Sequence, residues 1–166
     1  MSAADMSTGY FGKIPATGDF VSRRLPADFV HAWDRWVARH LAPALASDIW
    51  PDHVGLNFLS GPAAFGPIAG ILVPSADRVG RRFPLTVAAP INLAATGLAS
   101  SAAHWFASIG LVAGAAQRGE ITADDLEAVA LALNNRPRKT LGWRTPAEIF
   151  EEQLRSIQQA GVATTG

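Results

Sequence analysis

Three arginines within five residues, Arg78, Arg81 and Arg82, share the segment Ser75-Ala76-Asp77-Arg78-Val79-Gly80-Arg81-Arg82. A guanidinium is a planar, permanently charged fork of donors that matches carboxylates and phosphates in two-point geometry. Gathered beside Gly80, the three make a donor surface suited to an acidic partner. The same residues also admit a structural arrangement, in which one arginine pairs with Asp77 or Asp19 and the rest stand in solvent, where ion pairs contribute little. A second group lies upstream, Gly18-Asp19-Phe20 followed by Arg23 and Arg24. Gly18 allows a positive-φ turn, and Asp19 can either bond backbone amides ahead of it or act as counter-ion to the arginine loop.

Other chemistries fail on spacing. His31, His40, His53 and His104 are scattered with no pair at a ligand interval, and there is no cysteine. Metal binding, thiolate chemistry and disulfides therefore lack the residues to carry them. No Gly-x-Ser-x-Gly elbow is present, and no serine is tied by motif to a histidine and an acid. Gly9-Tyr10-Phe11-Gly12-Lys13 echoes a phosphate loop but lacks the preceding apolar strand and the Gly-Lys-Ser/Thr ending. The expectation is a protein that is not an enzyme and takes no cofactor or metal.

The elements that must position these loops follow from periodicity. Tyr10 to Ile14 suits a short strand, after which Pro15, Gly18 and Pro26 punctuate a loop. Phe29, Val30, Trp33, Val37 and Leu41 recur at three- and four-residue steps, so the spacing predicts a helix over residues 27–41 that Pro43 ends or kinks. Trp33 and Trp36, three apart, read as core packing. Residues 54–59 and 68–73 are apolar runs separated by turn residues and predict an antiparallel pair, with a third strand over residues 83–91. The arginine loop joins the last two. A helical period returns from Ser100 and stops at Gly119. Thr122 is placed to cap a further helix, with Ile121 and Leu126 as a hydrophobic staple, and Thr145-Pro146-Ala147-Glu148 is another start signal.

Bulk properties narrow the class. The chain has 166 residues, 49% of them hydrophobic, with 14 basic and 14 acidic side chains. That is room for one domain with a core. Balanced charge argues against nucleic-acid binding, which needs a surplus of Lys and Arg on one face. The N-terminus lacks a basic flank before an apolar run, and Gly, Pro and Ser interrupt the apolar stretches, so neither a signal peptide nor a membrane span is expected.

Two resemblances emerge from the motifs. Gly12-Lys13 to Pro15, Gly18-Asp19-Phe20, Arg23 to Pro26, Trp33-Asp34-Arg35-Trp36 and Pro74 to Thr86 resemble the TagF (ImpM) family of type VI secretion accessory proteins, over roughly residues 8–95. Leu133-Asn134-Asn135-Arg136-Pro137-Arg138-Lys139, Leu141-Gly142-Trp143 and Thr145-Pro146-Ala147-Glu148 resemble the C-terminal end of DDE-type transposases, over roughly residues 122–166. Together they suggest a TagF-like domain over residues 1–120, truncated by a mobile element, with a helical tail over residues 121–166.

The TagF resemblance implies a three-layer α/β sandwich with a largely antiparallel sheet. It also implies a cytoplasmic, post-translational regulator of type VI secretion that binds proteins, one partner carrying a forkhead-associated domain. On that reading the partner-binding residues are Asp19, Arg23, Arg24, Asp77, Arg78, Arg81 and Arg82, with Asp19 and Asp77 orienting the guanidiniums. The alternative is a degenerate transposase fragment with residual DNA affinity through Arg136, Arg138, Lys139 and Arg144. It lacks the separated acidic trio such enzymes need, since Asp124, Asp125 and Glu127 share one helix start.

Overall fold

The structure, a computed structural model, describes residues 8–91 and 98–134. Five strands form one antiparallel sheet in the order β2-β1-β5-β4-β3. They are β1 (Gly9–Gly12), β2 (Val21–Arg23), β3 (Leu56–Ser60), β4 (Ile68–Val73) and β5 (Leu85–Pro90). Four helices accompany them: α1 (Ala27–His40), α2 (Ala42–Ala46), α3 (Leu98–Gln117) and α4 (Ala123–Asn134).

The central strands β1, β4 and β5 are buried on both faces between helices, which makes the domain a three-layer α/β sandwich, while the edge strands β2 and β3 are largely exposed. Side chains alternate along each strand. Phe11, Ile68, Leu72 and Ala88 meet α1 and α2 through Phe29, Trp33, Val37 and Leu45. Tyr10, Ile71, Val73, Leu85 and Val87 meet α3 and α4 through Ile109, Val112, Leu126 and Val129. With two apolar faces to satisfy, the central strands β4 and β5 read as continuous apolar runs and show no polar alternation.

Local signals explain the helices. α1 starts behind Pro26, whose fixed φ of −57° leads into the helix. Asp28 in its first turn and Arg39 and His40 in its last complement the helix dipole. Its Trp33 donates to the Thr86 hydroxyl at 2.9 Å, tying the helix to the centre of the sheet, and stacks on Phe58 at 4.5 Å. Gly70, paired with Phe58, makes that stack possible, because a Cβ there would lie 2.7 Å from the Phe58 ring. Trp36 stacks on the outer side of Trp33 and is 37% exposed. At α4, Thr122 and Asp125 form a reciprocal capping box: the Asp125 amide donates to the Thr122 hydroxyl at 3.2 Å and the Thr122 amide to the Asp125 carboxylate at 2.9 Å. The staple residues Ile121 and Leu126 are both buried.

Two elements differ from the sequence reading. β2 lies where Pro15, Gly18 and Pro26 suggested only loop; at three residues it is too short for a period to register. Pro43 does end α1, but the chain then starts the short α2 with that proline in its first turn. The start signal at Thr145 and the tail motifs from Asn135 onward lie outside the described residues. Thr122→Ala is expected to lower stability by about 1 kcal/mol through loss of the cap. Trp33→Ala is expected to cost roughly 3–5 kcal/mol. Urea denaturation of the full chain followed by tryptophan fluorescence or circular dichroism checks both.

Candidate functional site

Lys13 follows β1, so the β1–β5 pairing fixes its place. It is the one lysine among the buried residues described, 8% exposed, and its ammonium donates to Asp77 Oδ2 at 2.9 Å. Phe20 roofs this ion pair. The Lys13 nitrogen lies 5.1 Å from the Phe20 ring centre, a cation–π distance. The same ring stacks on Phe11 at 5.5 Å and meets Phe83 edge-on at 4.9 Å.

Asp77 is the hub. Its side chain is fully buried, and both oxygens are saturated. Oδ1 accepts from the Val79 and Arg81 amides at 3.1 and 2.9 Å. Oδ2 accepts from Lys13 and from Arg81 Nε at 2.7 Å. The Gly80 amide donates to the Asp77 carbonyl at 2.9 Å, closing a tight turn in which Gly80 takes a φ of +85° that favours glycine. Arg81 Nη2 also reaches the Gly18 carbonyl at 2.7 Å, and the Arg78 amide donates to the Thr17 carbonyl at 2.8 Å. The arginine loop is thereby stitched to the loop that carries Gly18 and Asp19. Burial of the Asp77 carboxyl opposes its charge, but the bonds from Lys13, the Arg81 amide and the Arg81 guanidinium outweigh that and hold it well below the usual carboxylate range.

The structure divides the sequence-identified residues. Arg81 is committed to Asp77 and Gly18. Arg82 sends its two terminal nitrogens to the exposed carboxylates of Asp48 and Asp52. Arg78 is exposed and, among the described residues, has no ion pair. Beside it Val79 is 71% exposed, so the tip of the loop presents one open cation next to one open apolar side chain. Asp19 is exposed, and its carbonyl, accepting from Thr17 Oγ1 at 2.9 Å, is the group in use.

Arg23 and Arg24 turn to α4. Both pair with Glu127, at 3.8 and 2.9 Å. Tyr10 donates from beneath to the Ala123 carbonyl and to Glu127. Burial, followed by the Glu127 carboxylate, pushes the Tyr10 hydroxyl up to about 12. Sequence reasoning missed Lys13, Asp48, Asp52 and Glu127 as partners. Only Lys13 carried a signal: a single charge inside the apolar stretch Tyr10 to Pro15.

What the geometry defines is an α/β/α domain that presents a charged loop from a buried ion-pair lock. A family model for the TagF N-terminal domain, described as type VI secretion system-associated, matches residues 9–133. The chain belongs to that family. The match runs through α4, past the boundary drawn at residue 120, and stops where the Leu133 motif begins. Among solved structures the chain is similar to PA0076 from Pseudomonas aeruginosa PAO1, at 31% identity and a TM-score of 0.61. That likeness covers 79% of this chain and 64% of the other, so the chain spans less than two thirds of that protein's length. A search of curated proteins found no match. Among the described residues, no helix is long and apolar enough to cross a membrane, and no three His, Asp or Glu side chains gather as a metal site.

The hub sets an acid dependence. Because the native Asp77 pKa is depressed, its contribution is full above the ordinary aspartate value of 3.8 and is lost as the pH falls below it toward the native value. The wild-type Tm is therefore expected to fall more steeply between about pH 4 and pH 2 than that of Asp77→Asn. Lys13→Met, which leaves the buried carboxylate one cation short, is expected to lower the Tm at pH 7 by at least about 5 °C. Thermal scans across that pH range test both expectations.

Proposed function

We propose that this domain is a non-catalytic accessory protein of type VI secretion that works in the cytoplasm by holding protein partners, with a forkhead-associated-domain protein as the first candidate. The observation that carries the reading is the division of labour in residues 75–82. Asp77, Lys13 and Arg81 fix the loop, while Arg78 and Val79 stand exposed at its tip. A rigid loop loses little entropy on binding, and an arginine beside an apolar side chain is a composition common at energetic hot spots. Arg82 adds a second cation whose intramolecular partners are mostly exposed.

Arg136, Arg138, Lys139 and Arg144, on which the alternative DNA-binding reading rests, lie outside the described residues.

The test separates tip from lock. Arg78→Ala with Val79→Ser is expected to weaken capture of the forkhead-associated-domain partner at least about tenfold, the scale of one hot-spot loss, with the Tm unchanged. Arg81→Ala is expected to lower the Tm first. Co-purification and titration with the partner, beside thermal scans, give both readouts. Full capture by the tip variant would sink the reading.

A further inference from the structure

The two edges of the sheet are finished differently. β2, at one edge, is three residues long and carries Arg23, with Arg24 directly after it and Pro26 beyond. Shortness, charge and proline are devices by which an edge strand avoids pairing with another chain. β3, at the other edge, is five residues long and lies within a run from Val54 to Ala76 that has no charged side chain and no histidine. Its pairing with β4 proceeds residue for residue, from Leu56 opposite Leu72 to Ser60 opposite Ile68, so no bulge bends it away. The nearest prolines, Pro51 and Pro62, lie outside the strand.

The exposed side chains of this edge are apolar on both faces. Leu59, opposite Ala69, is 63% exposed on the α3 side, and Leu56, opposite Leu72, is 38% exposed on the α1 side. On the α1 side the apolar surface continues through Phe58, which stacks on Trp33, to the half-exposed Trp36. Among the described residues β4 is the one strand that pairs with β3, and the outer row of β3 backbone groups is a template for a further strand. We infer that β3 pairs with β3 of a second copy of this chain, antiparallel about a two-fold axis at Phe58, joining the two sheets into one.

The strand is matched to its own copy. An axis perpendicular to the sheet at Phe58 sets all five residues opposite a partner: Leu56 against Ser60, Asn57 against Leu59, and Phe58 against itself. Opposed residues then share a face, as an antiparallel ladder requires, and the α1 layers of both copies fall on one side. A row without charge meets another without charge, so pairing strips water from no ion. The difference between the edges fixes the number of copies. Pairing of β3 with β2 would leave another β3 open and continue as a filament, but Arg23 and Arg24, held there by Glu127, oppose it. Pairing of β3 with β3 consumes the open edge of each copy and closes at two. None of these residues belongs to the arginine loop, so the inference stands apart from the function proposed for that loop.

The test follows the full chain by analytical ultracentrifugation between about 1 and 300 µM. One strand pair is a small interface, so the dimer is expected to dominate only above roughly 10–100 µM. Leu59→Lys puts a charge on the edge and is expected to weaken the dimer at least about tenfold, with the Tm at low concentration unchanged because the side chain is exposed. Leu111→Lys, at an exposed position of α3, is the control and is expected to dimerise as the parent does. The chain has no cysteine, so introduced thiols report the register. Opposed residues lie about 4.5–5.5 Å apart between Cα atoms, within disulfide reach, and diagonal ones about 7–8 Å apart. Asn57→Cys and Leu59→Cys proteins, mixed, are therefore expected to cross-link to each other at least about fivefold faster than either does to itself. A monomer at every concentration, growth beyond a dimer, a Leu59→Lys dimer as tight as the parent's, or equal cross-linking in the mixture and the single variants overturns the inference.

Discussion

One buried carboxylate constrains the architecture of this surface. Asp77 sits in the interior with no exposed side-chain area, and an isolated charge there would be too costly for the fold to keep. Every element around it answers that demand. β1 ends at the position that brings Lys13 beneath it, the loop curls so that two amides face it, and Arg81 folds back over it. A buried ion pair of this kind is weak evidence for net stability, since an apolar core of the same shape can serve as well. What it supplies is geometry. Four donors converging on one carboxylate leave the loop a single arrangement.

The lock works because the sheet beneath it is fixed from both sides. Tyr10 and Phe11 are consecutive residues of β1, yet one belongs to the α3–α4 core and the other to the α1–α2 core. A one-residue slip of β1 would exchange them and move Lys13 to the opposite face. The register that buries two aromatic side chains correctly therefore also aims the ammonium at Asp77. Phe20 joins the two requirements, packing on Phe11 and Phe83 while covering Lys13.

The sequence made some of this legible and hid the rest for identifiable reasons. α1 could be read from Phe29, Trp33 and Val37 because its buried stripe has a helical period. The start of α4 could be read because a capping box and a staple are local in sequence. β2 and α2 escaped because elements of three and five residues are made by tertiary contacts, with too few positions to show a period. The arginine loop was visible as a concentration of charge, but which arginine is free was not. Arg82 is answered by Asp48 and Asp52, about thirty positions away, and Arg24 by Glu127, about a hundred away. Pairings at such separations depend on strand order, which no local pattern encodes.

Family membership and the structure also illuminate α4 jointly. Its Leu126 and Val129 fill the same core as Tyr10 and Ile14, and its Glu127 gathers Arg23, Arg24 and the Tyr10 hydroxyl. A segment joined by chance to a finished domain would have no reason to meet a buried tyrosine with a carboxylate at the one position where two arginines arrive from the sheet edge. Glu127 therefore belongs with β1 and β2 as a matched set, and the family match reaching residue 133 agrees with that. The same reasoning separates the two basic clusters of the front half. Arg23 and Arg24 hold α4 to the sheet, whereas the loop at Arg78 is held from below, and among the described residues its Arg78 has no ion pair.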